Sequence, residues 1–448
     1  MKDLTKGNIT KLLFGFAVPL FIGNVLQLTY SLIDTRIVGS ILGESALAAV
    51  GATTSLSNLI IGFLQGLTNG FAIIVAQHFG AGNYKDLKKS VALSVMLGLA
   101  MSLILTVLSL VFLYPLLRVL NIPKAVIPDS AAFISIIFAG MTITMLYNIC
   151  AAVLRAIGDS VTPLIFLALS VILNIFGDLF LINVLHTGVR GAAVATVLSQ
   201  LAALICCFLY MWKKYEFLRF SLRDMQPDGS MLRNLLSCGF SMGFMSSFVS
   251  LGSVALQTSI NKLGTDIIVA HTAARKISEL YMLAFSVFGT TMATFCGQNL
   301  GAGQISRIRE GIKKAILITW AWCLGTILLS YTIAPQMIYA ITGSTNPVVT
   351  ANAALYLKID TLLYFVTAVI CILRTAMQGI GDHITPIVSS SIELIGKILI
   401  AALLIPHLQY MGVILAEPIV WVFMVIPLIV QILRTPILKT EKKNCHTE

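Results

Sequence analysis

Long apolar runs alternate with short polar connections along the whole chain. Each run approaches or exceeds the roughly 20 residues that a helix needs to cross a bilayer. The runs cover residues 10–34, 45–77, 90–117, 127–153, 162–185, 190–212, 233–261, 267–297, 311–335, 351–375, 384–405 and 410–434. They are continuously apolar rather than alternating, which excludes a membrane β-barrel. The pattern predicts an all-α polytopic membrane protein with twelve transmembrane helices, six in each half.

Two strings of residues occur twice, in the same order and at nearly the same spacing. LRAIGDSVTP at 154–163 returns as MQGIGDHITP at 377–386, and QHFGAG at 77–82 returns as QNLGAG at 298–303. A fixed internal period indicates repeated structural units. We therefore expect two six-helix repeat bundles, and in a membrane protein such paired halves suggest a transporter with its pathway in a cavity between the repeats.

Composition and charge agree with a membrane location and orient the chain. Hydrophobic residues make up 57% and charged residues 11%, against about 25% charged in soluble domains. The net charge of +11 comes from Lys and Arg on alternate loops, among which we count Arg155 and Arg374. The positive-inside rule then places both termini in the cytoplasm. This charge pattern argues against nucleic-acid binding, and the eight scattered cysteines show no metal or disulfide spacing.

The same pattern predicts the domain boundaries. We expect an N-terminal six-helix lobe at 1–212, a cytoplasmic connector at 213–232, a C-terminal six-helix lobe at 233–434 and a cytoplasmic tail at 435–448. Because both halves begin on the same side, the repeats are expected to be parallel.

Ionisable groups inside the spans of the first half are functional candidates, because such groups are costly to bury. Asp34 lies near the end of the first run, and Asp178 lies four residues after Asn174 in the fifth, on the same helical face. Thr196 in the sixth run and Tyr147 in the fourth add hydroxyl groups. Such oxygens can share a proton or coordinate a hard cation such as sodium. The alternative is a hydrogen-bonded clamp between helices without a transported ion.

Two further residues of the first run bear on Asp34. Pro19 lies inside the run, where proline removes a backbone hydrogen bond and bends a helix. The second half has Ser241 near the corresponding place, so the first helix has either a hinge that its counterpart lacks or a static kink. Arg36 either pairs with Asp34 or extends its guanidinium group to the outer surface.

The second half does not repeat this set of residues. Lys397 aligns with Asn174, and Glu393 lies four residues before Lys397 on the same helical face. This pair is either a buried structural ion pair or part of a substrate site or relay. Other charged residues inside the runs are expected to face a water-filled cavity, namely Arg275, Lys276 and Glu279. Asp360 and Glu417 rank lower as candidates.

The repeated GxGD-like string also matches the short signature of intramembrane aspartyl proteases. Here Thr-Pro follows it at both copies, and it falls in a loop rather than a span. We interpret it as a tight turn in which Gly has positive φ, Asp caps the next helix and Pro opens that helix. HExxH and Walker A strings are absent from the sequence, so we expect no enzyme and no ATP-driven pump.

Taken together, these landmarks resemble the multidrug and toxic compound extrusion (MATE) family over nearly the whole chain. They include the two GAG loops, the two GD-x-x-TP loops and, in the first run, Pro19, Asn24, Gln27, Tyr30 and Asp34. The resemblance implies two bundles around a V-shaped cavity and antiport of organic cations, drugs or toxic metabolites against protons or sodium. It implies a cation site at Asp34, Asn174, Asp178 and Thr196. A second cation site with acids in the seventh and tenth helices is not expected, because Val249 and Thr367 lie near those places.

The function expected from these observations is secondary antiport in the plasma membrane by a monomer, without a cofactor and with a proton or sodium ion as the coupling ion. The partners are amphipathic compounds and the lipid bilayer. Candidate residues of the substrate cavity are Gln27, Tyr30, Tyr147, Arg275, Glu279, Glu393 and Lys397. The alternative is a lipid-linked saccharide flippase of the same superfamily, for which Arg275, Lys276 and Lys397 offer cationic groups.

Overall fold

The computed structural model describes residues 3–119, 122–343 and 346–435, so the predicted tail lies almost wholly outside the described residues. Within those ranges the chain is helical and contains no β-strand. Ten helices are long and apolar enough to cross a membrane, and two bent helix pairs raise the number of spans to 12 when each pair counts as one. The twelve-span all-α architecture is thus confirmed.

We number the spans α1 to α12. The first half contains α1 (Ile9–Leu42), α2 (Glu44–Gly80), α3 (Tyr84–Val111), α4 (Ile127–Ala139 and Met141–Ala156), α5 (Val161–Asp178, continued by a π-helical segment at Leu179–Val184) and α6 (Val189–Lys214). A short helix at Leu113–Val119 follows α3, and two 3₁₀ turns at Glu216–Leu218 and Leu222–Met225 form part of the connector.

The second half contains α7 (Gly229–Ile260), α8 (Thr265–Gly301), α9 (Ile305–Thr332), α10 (Pro347–Leu362 and Tyr364–Gly379), α11 (Ile384–Leu403) and α12 (Tyr410–Arg434), with short helices at Ala334–Thr342 and Ile405–Leu408. The predicted runs match these spans to within about six residues at each end, except at α1, which continues to Leu42 although its apolar run ends at residue 34. Polar residues end the run but not the helix, because the hydroxyls of Thr35 and Ser40 bond to carbonyl oxygens of α1 itself.

The fourth span of each half is bent at equivalent positions. α4 turns by 46° at Gly140, and α10 turns by 53° at Leu363. A side chain at Gly140 would meet Val197 of α6, since an ideal Cβ there lies 2.5 Å from that residue. The bend is therefore a repeated feature of the two halves.

The chain divides into two compact units. Unit 1 is chiefly Val18–Gly243, and unit 2 contains Leu4–Ala17 together with the chain from Phe244 onward. The divisions fall inside α1 and α7, so the first residues of α1 belong to unit 2 and the first part of α7 belongs to unit 1. The expected boundaries instead put residues 1–212 in one lobe and 233–434 in the other.

Within unit 1, α2 and α7 pack backbone against backbone. An ideal Cβ on Gly66 would lie 2.5 Å from the carbonyl oxygen of Met242, and one on Gly70 would lie 2.5 Å from the carbonyl oxygen of Cys238. Small residues let helices approach closely where no water drives their association. These glycines of α2 are therefore required by the close approach of α7.

The repeated Gly-Asp turns have the predicted structure. The glycine before each aspartate has positive φ, 85° in the first copy and 93° in the second. Asp159 accepts hydrogen bonds from the amide and hydroxyl of Thr162 at 3.0 and 2.7 Å. Asp382 accepts from the same groups of Thr385 at 3.1 and 2.8 Å. These bonds cap the first turns of α5 and α11.

The first copy of the turn has an additional anchor. The Tyr215 hydroxyl, just after α6, donates to Asp159 Oδ2 at 2.6 Å, and both residues are only 5% exposed. Burial alone would raise the pKa of Asp159, but the hydrogen bonds from Tyr215 and Thr162 outweigh it and lower that pKa. The turn between α4 and α5 is thus tied to the end of α6 through one carboxylate.

Candidate functional site

Two carboxyl groups of unit 1 meet within the membrane-spanning helices. Asp34 of α1 and Asp178 at the end of α5 lie close enough for their side chains to interact. Asp178 is fully buried and Asp34 is half-buried. Among the described residues, Oδ1 of each group has no hydrogen-bond partner. Two carboxyl groups can bond to each other only when one holds a proton, so the pair can share one.

The Asn174 amide lies one helical turn before Asp178, and its neighbours fix its orientation. Its nitrogen donates to Asp178 Oδ2 at 3.0 Å and to the Tyr30 hydroxyl at 2.9 Å, and its oxygen accepts from the Thr196 backbone amide at 3.0 Å. In the reverse orientation the amide oxygen would face other hydrogen-bond acceptors. The amide nitrogen would then make only a 3.3 Å hydrogen bond to the Thr196 hydroxyl. The amide nitrogen, rather than the oxygen, therefore faces Asp178.

A polar cavity of about 450 Å³ adjoins this group of side chains. It is lined by Gln27, Tyr30, Asn58, Ile61, Gly62, Gln65, Thr144, Tyr147, Asn148, Leu167, Ser170, Val171, Asn174, Thr196, Ser199 and Gln200. The lining carries hydroxyl and amide groups but no charged side chain. Tyr30, Asn174 and Thr196 belong both to this lining and to the hydrogen bonds around the carboxyl pair, so they connect the two.

The other two features of α1 lie apart from the carboxyl pair. Arg36 is exposed, and within the part of the chain that the structure describes no ion pair joins it to Asp34. Pro19 lies inside α1, two residues beyond Ala17, where the helix passes from unit 2 to unit 1. Pro19, which removes one backbone hydrogen bond from α1, therefore lies close to the point where the helix passes from unit 2 to unit 1.

Unit 2 contains a chain of five alternating charges contributed by α8, α10, α11 and α12. Arg275 Nη1 donates to Glu417 Oε2 at 2.9 Å. Lys397 Nζ lies 3.2 Å from Glu417 Oε1 and 3.0 Å from Glu393 Oε1. Arg374 Nη1 lies 3.5 Å from Glu393 Oε2. Each of the four glutamate oxygens therefore faces one cationic group, and the predicted Glu393–Lys397 pair is the centre of a larger network.

Two cavities of about 250 Å³ each adjoin this chain of charges. One is lined by Val249, Ser253, Arg275, Ser278, Glu279, Met282, Thr367, Ile370, Cys371, Arg374, Glu393, Lys397, Glu417, Trp421 and Met424. The other is lined by Ser253, Leu256, Gln257, Ile260, His271, Thr272, Arg275, Lys276, Glu279, Tyr356, Val413 and Glu417. Lys276 and Glu279 are exposed and 3.6 Å apart. The charged residues of α8 thus line cavities, where the sequence analysis places them.

Asp360 lies deeper in unit 2 and does not line either cavity. It is fully buried, and its Oδ2 accepts hydrogen bonds from the hydroxyls of Ser278 at 3.2 Å and Tyr364 at 3.0 Å. It belongs to the packing between α8 and α10.

Sequence reasoning misplaced two arginines and ranked one acid too low. Arg374 and Arg155 were expected in loops, but Arg374 lies in α10, 7% exposed, and Arg155 lies in the last turn of α4 with Asn69 3.4 Å away. The Gly-Asp turn begins several residues after each arginine, and this spacing already indicates a position inside the helix. Glu417, ranked below Glu393, bridges Arg275 and Lys397.

Among the described residues, no group of three or more His, Cys, Asp or Glu side chains could hold a metal ion. Around Asp34 and Asp178 the other oxygen atoms that could bind a cation are those of Tyr30, Asn174 and Thr196. The Asn174 oxygen faces the Thr196 amide instead of the carboxyl pair. The present arrangement therefore suits a shared proton better than a bound sodium ion.

Two repeats of six membrane-spanning elements, each with polar groups buried among its helices, are typical of membrane transporters. The family model named MatE matches two segments of the chain, residues 19–180 and 242–403. The chain belongs to this family, the multidrug and toxic compound extrusion family. Its two matched segments also confirm the internal repeat.

Relatives and solved structures agree with this assignment. The chain is 31% identical over 68% of its length to a Bacillus subtilis protein named "probable multidrug resistance protein YpnP", of which 68% is covered. It is 28% identical over 90% of its length to a second protein of the same organism, "probable multidrug resistance protein YoeA", of which 89% is covered. A FAD transporter of Shewanella oneidensis is 24% identical, with 94% of each chain covered. A solved MATE family transporter in an outward-facing conformation shares the fold with a TM-score of 0.88 over 98% of both chains at 23% identity.

Proposed function

We propose that this protein is a secondary antiporter of the cell membrane that exports amphipathic organic molecules, such as drugs or toxic metabolites, in exchange for protons. The observation that carries the proposal is the contact between Asp34 and Asp178, beside a polar cavity in the same unit. Relatives named as multidrug resistance proteins support export as the direction of transport.

The hydrogen bonds suggest how a proton and a substrate affect each other. Asn174 donates to both Asp178 and Tyr30, and Tyr30, Asn174 and Thr196 line the cavity. When the carboxyl pair gains or loses a proton, the bonds that these three side chains offer to a substrate change. A ligand bound through the same side chains must in turn alter proton binding, because coupling between two sites is reciprocal. Reciprocal coupling of this kind is what antiport requires.

α1 is positioned to convert a change in the protonation of the carboxyl pair into a movement of the helix. It carries both Tyr30 and Asp34, and Pro19 removes one backbone hydrogen bond nearer its start. A helix bends at lower cost where a hydrogen bond is already missing. We propose that α1 bends at Pro19 when the carboxyl pair changes its protonation state.

Efflux from proteoliposomes tests this proposal. Vesicles containing the purified protein and loaded with ethidium, a fluorescent organic cation, would receive a proton gradient or a sodium gradient in separate runs. We expect the proton gradient alone to drive efflux, and we expect Asp34→Asn and Asp178→Asn to abolish it. Asp129→Asn, a change of an exposed aspartate at the start of α4, is the matched control and should retain efflux.

The other outcomes would revise the proposal in different ways. Efflux driven by sodium and lost in the same two variants would keep the site and change the ion. Driven efflux that persists in both variants would remove the site. No efflux of a folded protein under either gradient would remove this class of substrate and shift support to the saccharide flippase.

A further inference from the structure

The cavity beside α10 and α11 in unit 2 is poorly suited to a cation. Its lining contains the paired acids Glu393 and Glu417, but Lys397 and two arginines already face all four of their oxygens. The third acid of the lining, Glu279, lies 3.6 Å from Lys276. An organic cation or a sodium ion would have to displace a built-in cation before it could reach a carboxylate.

Hydrogen-bond donors, in contrast, remain available in the same cavity. Arg374 and Thr367 are 7% and 5% exposed, yet within residues 3–119, 122–343 and 346–435 the Arg374 Nε and the Thr367 hydroxyl have no hydrogen-bond partner. The Arg275 side chain, at one end of the charge chain, is 30% exposed. Buried donors without a partner are costly, and an incoming acceptor would relieve that cost.

The positive charges are also held in fixed positions. The Lys397 side chain is 2% exposed, and its Cδ lies 2.9 Å from where a Cβ of Gly252 would be. The lysine therefore occupies space that only glycine on α7 leaves free. Arg374 is held in turn by hydrogen bonds to Glu393 and Ser390. A fixed array of donors binds an anion at lower cost than mobile side chains would.

We propose that this cavity binds the anionic group, a carboxylate or a phosphate, of a small amphipathic molecule, through Arg275, Arg374 and Thr367. With both glutamates ionised, the five-membered chain of charges begins and ends with arginine and carries one excess positive charge. Trp421, Met282 and Met424 in the same lining supply an apolar wall for the rest of the ligand. The inference rests on the proposed export function, since it specifies a chemical class of cargo.

Binding of two probes of opposite charge tests the inference directly. Benzoate and benzylammonium have the same ring and similar size, and radiolabelled forms can be measured by equilibrium dialysis against the full chain in phosphatidylcholine nanodiscs. We expect benzoate to bind at least about tenfold more tightly than benzylammonium, the discrimination expected when one charge-assisted hydrogen bond is gained. The measurement needs no gradient, so a protein that fails to export ethidium still gives an answer.

Two variants assign the binding to this cavity. Arg374→Gln should weaken benzoate binding about tenfold or more, by loss of a charged donor. Because this change also removes a partner of Glu393, Thr367→Val is the second variant: it deletes only an unpartnered hydroxyl and should weaken binding a few-fold without affecting folding. Thr326→Val is the control, since that buried hydroxyl bonds to the Cys323 carbonyl of its own helix and does not line the cavity.

A further arm identifies the source of the anion. If adding phosphatidylglycerol to the nanodiscs leaves benzoate binding unchanged, the site takes a soluble anion; if it displaces benzoate, a lipid headgroup occupies the site. Benzylammonium binding as tightly as benzoate, or benzoate binding that Thr367→Val and Arg374→Gln leave unaltered, would overturn the inference.

Discussion

Removal of the Tyr215 hydroxyl isolates the bond that anchors the first Gly-Asp turn. Tyr215→Phe keeps the ring, which packs against Tyr210 and Phe217. It deletes only the hydrogen bond to Asp159 Oδ2 at 2.6 Å and leaves the two bonds from Thr162 in place.

The expected cost follows from the chemistry of this bond. A hydrogen bond to a charged group contributes about 1.5–3 kcal/mol to stability. We take the lower part of this range, about 1–2 kcal/mol. Asp159 retains its other partners, which keeps the effect at this level.

The effect depends on pH with a definite sign. Because the native pKa of Asp159 is lowered by its hydrogen bonds, the stability that they confer is present above the unfolded pKa of about 3.9 and is lost as pH falls through the lower, native pKa. The difference between wild type and Tyr215→Phe should therefore be constant from neutral pH to about pH 5 and shrink only in stronger acid.

A double-mutant cycle measures the bond itself. Thermal unfolding in detergent, followed with a thiol-reactive dye that labels the buried cysteines as they become exposed, would compare wild type, Tyr215→Phe, Asp159→Ala and the double variant. We expect a coupling between the two residues of about 1–2 kcal/mol. As a control, Tyr215→Phe and Asp382→Ala should be additive, since they lie in different units. Additivity of Tyr215→Phe with Asp159→Ala would refute the reasoning.

Three further changes have expected outcomes. Gly70→Ala should destabilise the protein by about 1–3 kcal/mol, because its Cβ would overlap the α7 backbone. Gly51→Ala is the control in the same helix and should be neutral or stabilising, because there is open space around that residue. Both are measured by thermal unfolding with the thiol-reactive dye. Asn174→Leu should leave ethidium binding measurable by fluorescence but uncouple it from pH, and a variant with an unchanged pH dependence would contradict the role given to the amide. Pro19→Ala should preserve ethidium affinity while slowing proton-driven efflux, so an unchanged efflux rate would show that α1 does not bend there.

The sequence determines the architecture closely, because apolar runs of membrane length leave few alternatives. Twelve runs predict the spans to within a few residues at most ends, and the repeated Gly-Asp turns are predicted down to the aspartate that caps the next helix. The bends at Gly140 and Leu363 are not evident in hydropathy, because a change of helix direction does not interrupt an apolar run.

The polar groups of the first half were partly predictable from their spacing. Asn174 and Asp178 share a helical face, and this local rule holds in the structure. Their contact with Asp34 and Tyr30 depends on how α1 packs against α5, which spacing within one helix does not determine.

The charge chain of unit 2 shows the limit of local rules. Glu393 and Lys397 are four residues apart in one helix, so their pairing was predictable. Glu417 and Arg275 lie far away in sequence, and Arg374 appeared to belong to a loop because the apolar run ends beside it. Charges that compensate one another across helices can be recognised only once the helices are packed.

The most direct test of the central claim, that Asp34 and Asp178 hold the proton exchanged for substrate, is a count of protons released when substrate binds. Ethidium would be added to the purified protein in weakly buffered detergent containing a pH-sensitive dye. The account predicts release of up to about one proton per wild-type molecule, because the two carboxyl groups share one, and binding without release in Asp34→Asn and Asp178→Asn. Ethidium binding with equal proton release in wild type and both variants would contradict it.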